Sequence, residues 1–492
     1  MERFPGAPDG GDERGPAFRL AREKDKAMEV VMALDKIHPT TLLSRYVSRL
    51  QYTDLPADVV AYAKLLILDQ LASAMAGYKV NRVFNRAVLE VIGGMGGKPE
   101  STVLFGGGRI PAAHAAFINA VYGHGADLDD GNRIATGHPG VAIIPAVLSL
   151  AEAHGLGGKE AITAIVAGYD VYVRLGTLMM PAHFLKGFHS TGTIGAVAAG
   201  AASARVLGLA EDGVRRAISL AAVQASGLHE VSDSGQMAKP INPGNAARTG
   251  ILSALLAKAG ADAPRDPLEG DKGFLKAFAD GPDWATLPDD LGRQFKIATC
   301  YIKLYPACRH AHAPIDAALR LREAGIAGPA AIETITIHTY PSAIAIAGNI
   351  FEPKNEDEAK LSITFATATA LATGRFTLAD LKNAAQMSGE VKALIGKMRI
   401  VSDPALNDKE AGIRGARIDV VFKDGTDRSE TVPLPKGDPE VPLQGNDMTE
   451  KLRSCASELL GEEAQRELYD AAMGLEDLAR VSSLMEIVSK IP

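Results

Sequence analysis

Residues 191–207 read TGTIGAVAAGAASARVL, a run with one charge, Arg205, and no aromatic ring. It has the length and spacing of a helix, and faces of Ala and Gly let neighbouring backbones approach closely. A helix so poor in large side chains gains burial only when other helices close on it from several sides. The same helical period runs from about residue 36 to 298, broken by Gly, Pro and short polar stretches. Pro56 opens a helix through Leu65, Leu66, Ile67 and Leu71, and Pro111 opens another through Ala116, Ile118 and Val121. Val141 to His154 and Gly158 to Leu175 follow the same pattern. A single Trp and an aromatic content of 5% agree with close helix packing, so this part reads as a compact all-helical body.

After about Cys300 the period changes. Ile332 to Tyr340, IETITIHTY, alternates Ile with polar residues as a half-buried strand does. Arg417 to Phe422 alternates again, and Lys423-Asp424-Gly425-Thr426 turns the chain into Arg428 to Val432, a hairpin. Helical stretches at Glu358 to Ala372 and Leu378 to Met387 lie between the strands. Pro433, Pro435, Pro439 and Pro442 form a rigid connector, beyond which Met448 to Leu460 and Gln465 to Met485 are helical. The expected fold is mostly α: a flexible tail over 1–35, a helical domain over 36–298, a smaller α+β lid over 299–445, and C-terminal helices over 446–492 that return to the first body.

With 492 residues, 47% of them hydrophobic, the chain can bury a sizeable core. Against 52 Lys plus Arg stand 59 Asp plus Glu, and a net charge of −7 offers no broad basic surface, which excludes nucleic acid as a main partner. Three cysteines, Cys300, Cys308 and Cys455, suit a reducing compartment, and the cytoplasm is the expectation. The stretch through Lys26 mixes acids with bases and has no apolar core, unlike a signal peptide. Ile134 to Ala151 is uncharged and just long enough to span a membrane, yet it contains His138, Pro139 and Pro145, so a buried loop leading into a core helix is expected instead.

Four polar clusters interrupt the apolar helices. Gly123 to Gly131 holds Asp127, Asp129 and Asp130 and is followed by Thr136-Gly137-His138-Pro139-Gly140; a carboxylate beside an imidazole suits proton transfer, while solvated acids at a helix end explain the same residues. Lys186 to Thr193 places His189 before Ser190 and Thr191 at a helix start, an anion site or ordinary N-capping. Ser234 to Asn245 fixes Lys239 between rigid segments, as a carboxylate clamp or as a surface lysine. Lys303 to His312 gathers Lys303, Tyr305, Cys308, Arg309, His310 and His312 at the domain boundary, where clefts form. No second Cys/His pair at zinc-like spacing accompanies it, so no metal is expected. Gly106-Gly107-Gly108-Arg109 lacks the Lys-Ser/Thr ending of a phosphate loop, and no nucleotide cofactor is expected.

In their order, ADLDDG with GHPG, GFHSTGTIGA, KPINPGNAARTG and KLYPACRHAH resemble the MmgE/PrpD family over roughly residues 36 to 460. The resemblance implies a large helical domain made from both chain ends plus an α+β lid, a homodimer, and an active site between domain and lid without metal or cofactor. It also implies catalytic roles for Asp127, His138, His189, Lys239 and Lys303, with Ser190, Thr191, Asn242, Tyr305 and Arg309 among the substrate-binding candidates. Gly131 stands where the family often has Thr, Asn242 where it often has His, and Phe365 where some members have Tyr.

Such a site suits a di- or tricarboxylate. Lys239 and Lys303 would hold separate carboxylates, and cations placed where enediolate-like charge develops stabilise the transition state more than the ground state. One charge problem serves three outcomes: dehydration of a 2-methylcitrate-like hydroxy acid, which is the first expectation, epimerisation of a dicarboxylate such as iminodisuccinate, and decarboxylation of a cis-aconitate type. A catalytically silent carboxylate-binding protein is the alternative outside the enzymes.

Overall fold

A computed structural model describes residues 38–489 except 81, 234–236, 286, 288–289, 327 and 409–412. The expected tail lies outside the described residues, as do the first three positions of the Ser234 to Asn245 cluster. The chain is mostly helical. In order come α1 (Pro39–Arg49), α2 (Ala57–Val80), α3 (Ala112–His124), α4 (Pro139–Ala153), α5 (Gly158–Met179), α6 (Ser190–Val206), α7 (Glu211–Ala222) and α8 (Ile241–Lys258).

The small-residue run is α6, and α4, α5, α7 and α8 all pack on it. Every residue of α6 except Arg205 is buried. Small side chains make this possible: a Cβ on Gly250 of α8 would stand 2.5 Å from the backbone and Cβ of Ala199. Ala142, Ala196 and Ala246, one from each of α4, α6 and α8, form a cluster of their own near the starts of those helices. The uncharged segment 134–151 is a loop followed by α4, which is buried except at its last residue. Helices α2 and α5 have the length and apolar character to cross a membrane, but most of each such stretch is buried against the rest of the protein.

The second half places α9 (His312–Glu323), α10 (Ile363–Thr373) and α11 (Gly389–Ile395) with a four-stranded sheet of β1 (Ile332–Thr339), β2 (Met398–Ser402), β3 (Ala416–Phe422) and β4 (Asp427–Val432). The order is β2-β1-β3-β4, with β1 and β2 parallel and the other pairs antiparallel. The hairpin falls where the sequence places it, whereas β2 was not anticipated. Residues 358–372 are not one helix: a short Glu356–Lys360 turn ends first, and Ser362 caps α10 by accepting from the Phe365 amide at 3.1 Å. The last expected helix is likewise divided, into α13 (Glu462–Met473) and α14 (Ser482–Ser489), with Gly474 capping the former. Before them α12 (Asp447–Ala456) packs against α2, as does α13, so the end of the chain returns to its beginning.

Gly250→Val forces α6 and α8 apart and lowers stability by about 1–3 kcal/mol in denaturant unfolding. Gly94→Ala, with nothing within 4 Å of the new methyl, changes it by less than about 0.5 kcal/mol.

Candidate active site

Helices α4, α6 and α8 start at one end of the body, and two of their N-cap residues are imidazoles: His138 for α4 and His189 for α6. The His138 amide donates to Thr191 Oγ1 at 3.2 Å, and Asn242, in the first turn of α8, reaches His189. Three positive helix ends therefore face the same region, a favourable surrounding for an anion.

Opposite them runs the loop after α3. Asp127 adopts φ 52°, the left-handed region, at a cost of about 1 kcal/mol that the surrounding contacts must offset. Its Oδ1 lies 3.1 Å from both Lys239 Nζ and Lys303 Nζ, and 3.9 Å from His138 Nε2. Burial alone would raise the Asp127 carboxyl, but the two ammonium groups outweigh it and hold it well below the usual carboxylate range. Lys303 is 1% exposed and also donates to the Asp127 carbonyl at 2.7 Å, whereas Lys239 is 25% exposed and forms the open side of the pair.

A deeper layer fixes Lys303. Lys451 of α12 is buried against Asp69 of α2 and donates to the carbonyls of Leu128 at 2.9 Å and Lys303 at 2.7 Å. Burial raises Asp69 to about 6 against the pull of Lys451. Asp130 accepts from the Gly140 amide and the Tyr169 hydroxyl, and burial with the nearby Asp69 and Asp129 pushes its carboxyl well up.

Hydrogen bonding decides the tautomer of both imidazoles. His138 Nδ1 lies 2.7 Å from the Asp130 carbonyl oxygen, which can only accept, so Nδ1 carries the proton and Nε2 faces Asp127. Asn242 Nδ2 lies 3.3 Å from the Leu228 carbonyl, which orients the amide with its N–H groups toward that oxygen and toward His189 Nδ1 at 3.0 Å. His189 Nδ1 therefore accepts, and Nε2 carries the hydrogen. Burial, with Lys239 and the neighbouring imidazoles, lowers His189 well below its ordinary value and keeps it neutral.

Asp127, His138, Lys239 and Lys303 thus converge directly, with His189 joined through Asn242 and the rings around it. Ser190 and Thr191 stand behind them, and their hydroxyls serve internal ties: Ser190 Oγ donates to the Thr136 carbonyl at 2.6 Å, and Thr191 holds the His138 amide. Neither caps α6. Tyr305 and Arg309 face elsewhere. The Tyr305 hydroxyl donates to Asp316 at 2.6 Å and lines a separate 550 Å³ cavity, and Arg309 pairs with Asp438 at 2.9 Å. Of the three departures, Phe365 packs edge-to-face on Phe376. Gly131 has a steric reason, since a Cβ there would stand 2.4 Å from the Tyr301 hydroxyl.

Sequence reasoning gave no individual role to His124 or Asp129 and passed over Tyr301, Asp69 and Lys451. The first two sit inside the quoted motif, but nothing local says which of three acids meets which base. Ligand atoms of His124, Asp127, Asp129 and His138 lie within 4.8 Å of one another, a spacing open to a cation, but Lys239 and Lys303 already occupy Asp127 with positive charge.

Comparison with known proteins matches residues 41–287 to the MmgE/PrpD N-terminal domain and residues 305–477 to the MmgE/PrpD C-terminal domain. The chain is 29% identical to the cis-aconitate decarboxylase-like protein oryM of Aspergillus oryzae, covering 92% of this chain and 97% of that one. It is 27% identical to a cis-aconitate decarboxylase of Aspergillus terreus, covering 92% and 96%. With a 2-methylcitrate dehydratase of Cupriavidus necator it is 27% identical over 58% of this chain and 61% of the other. Both halves of the chain are accounted for by these matches, and the protein belongs to the MmgE/PrpD family.

Proposed function

We propose that this protein is a lyase that removes carbon dioxide from an unsaturated tricarboxylate of the cis-aconitate type. The observation that carries the reading is the pair of ammonium groups on Asp127 Oδ1, flanked by one imidazole with a free Nε2 and another with an Nε2–H. Of the relatives compared above, the cis-aconitate decarboxylase and decarboxylase-like proteins of Aspergillus align with nearly the whole chain.

The chemistry follows from charge. When the bond to a carboxylate β,γ to a double bond breaks, carbon dioxide leaves and the electron pair shifts through the double bond toward a second carboxylate. The resulting dienolate is stabilised by Lys239, Lys303 and the neutral Nε2–H of His189, a donor that needs no charge of its own. The free Nε2 of His138 first takes a proton from water and then delivers it to the carbon α to that second carboxylate, returning to the Nδ1–H form; the hydroxide left by the water combines with the released carbon dioxide as bicarbonate, which balances the step. Lys303, locked from behind, sets the geometry; Lys239, on the open side, engages the incoming carboxylate.

Dehydration of a 2-methylcitrate-like acid is the second reading, and one observation favours it: a neutral His138 with its lone pair on Nε2 is arranged to take a proton from carbon.

Purified protein given cis-aconitate should release carbon dioxide and, in D2O, place one deuterium on the product. With 2-methylcitrate, a rise in ultraviolet absorbance from a conjugated double bond and no activity on cis-aconitate would reverse the preference. Lys239→Ala should lower kcat/KM by about 100-fold with an unchanged melting temperature. Lys303→Ala should lose turnover and also about 3 kcal/mol of stability, because it removes a buried cation from its carboxylate. Asn242→Ala, which frees His189 to exchange tautomers, should lower kcat by about 10-fold with KM little changed.

A further inference from the structure

Asp129 takes no part in either proton transfer above, yet it stands between two imidazoles. It is fully buried, and both its oxygens accept from His124 Nδ1, at 3.0 and 2.8 Å. Its Oδ2 also lies 3.3 Å from His138 Nδ1. Burial would raise this carboxyl, but His124 and His138 outweigh it and keep it well below the usual carboxylate range. An ionised carboxylate only accepts, so the His124 proton sits on Nδ1.

His124 is the more unusual of the pair. It is 2% exposed, and its Nε2 is buried with no hydrogen-bond partner. A bare lone pair in the protein interior is unfavourable by about 1–3 kcal/mol. Burial lowers the imidazole to about 4, opposed by Asp129, so the ring stays neutral near neutral pH and carries no proton to or from a substrate. Its polar contacts reduce to one, toward Asp129. Its edge also packs on His138, with ring centroids 4.8 Å apart and planes at 70°. The ring thus both holds the carboxylate and limits rotation of the imidazole in front of it.

We propose that His124 and Asp129 are positioning residues for His138: His124 aims Asp129, and Asp129 with the Asp130 carbonyl keeps the His138 proton on Nδ1 and Nε2 turned toward the substrate. This rests on the His138 role proposed above. The arrangement parallels the way a buried carboxylate orients the base in hydrolytic triads, with an imidazole in turn orienting the carboxylate.

The test has two arms. In ¹⁵N-histidine-labelled protein, with signals assigned by their loss in His124→Asn and His138→Asn, both His124 and His138 should show the Nδ1–H form. A wild-type His138 with its proton on Nε2 overturns the proposal, and no substrate is needed to see it. In turnover, His124→Asn puts an amide nitrogen near the place of Nδ1 and should restore most of kcat. His124→Gln puts it near Nε2 and should lower kcat by about 10–100-fold with KM within about 3-fold, and Asp129→Asn should do the same. Equal kcat in the Asn and Gln variants overturns the positioning role. If His138→Asn is inactive in that case, the His138 assignment stands; if His138→Asn turns over normally, both fall. Should the wild type act on neither substrate, the labelled spectrum alone decides.

Discussion

Two ammonium groups resting on one carboxylate oxygen is the arrangement from which the rest of the molecule takes its order. Like charges a few ångströms apart repel by about 4 kcal/mol at the effective dielectric of a protein surface, so the pair exists only where anionic charge is fixed between them. Asp127 supplies it, from a left-handed backbone position that the loop would not adopt unaided. Lys303 is held from beneath by Lys451 and Asp69, which belong to opposite ends of the chain. A polycarboxylate, the substrate proposed for this site, would add negative charge to a place already prepared for it, and little would need to move when that charge redistributes.

The same economy governs the imidazoles. Each has one nitrogen committed to a backbone-determined partner: His138 to a carbonyl directly, His189 to an amide that a carbonyl has oriented. Carbonyls have no alternative protonation state, so main-chain geometry fixes the His189 tautomer through Asn242 and favours the Nδ1–H form of His138 beside Asp129. Asn242 does for His189 what a second imidazole could not do as definitely, because its donor end is fixed by Leu228. Gly131 leaves room for the Tyr301 phenol, so a missing side chain there is matched by a hydroxyl contributed from elsewhere in the chain.

Much of the fold was legible because periodicity and composition are local. The Ala- and Gly-rich run at 191–207 announced a central helix, and IETITIHTY a strand. The strand at Met398–Ser402 was not legible: only its parallel pairing with Ile335 to Thr339 distinguishes five mixed residues from a loop. The break before Ile363 depended on one Ser362 hydroxyl turning back to an amide. In the site, the motifs named residues that do converge, but direction is a tertiary property. Tyr305 and Arg309 lie in the same motif as Lys303 and point away from it, toward Asp316 and Asp438. Lys451, which carries no motif at all, reaches the heart of the site because α12 packs on α2.

That last contact has a temporal side. A ribosome releases the chain from its first residue onward, and every side chain proposed to touch substrate has emerged by residue 303. The loop carbonyls of Leu128 and Lys303 still lack the ammonium that ties them together until position 451 is free to fold back. The nascent chain can therefore assemble its earlier helices while the tie between these two loops waits for Lys451.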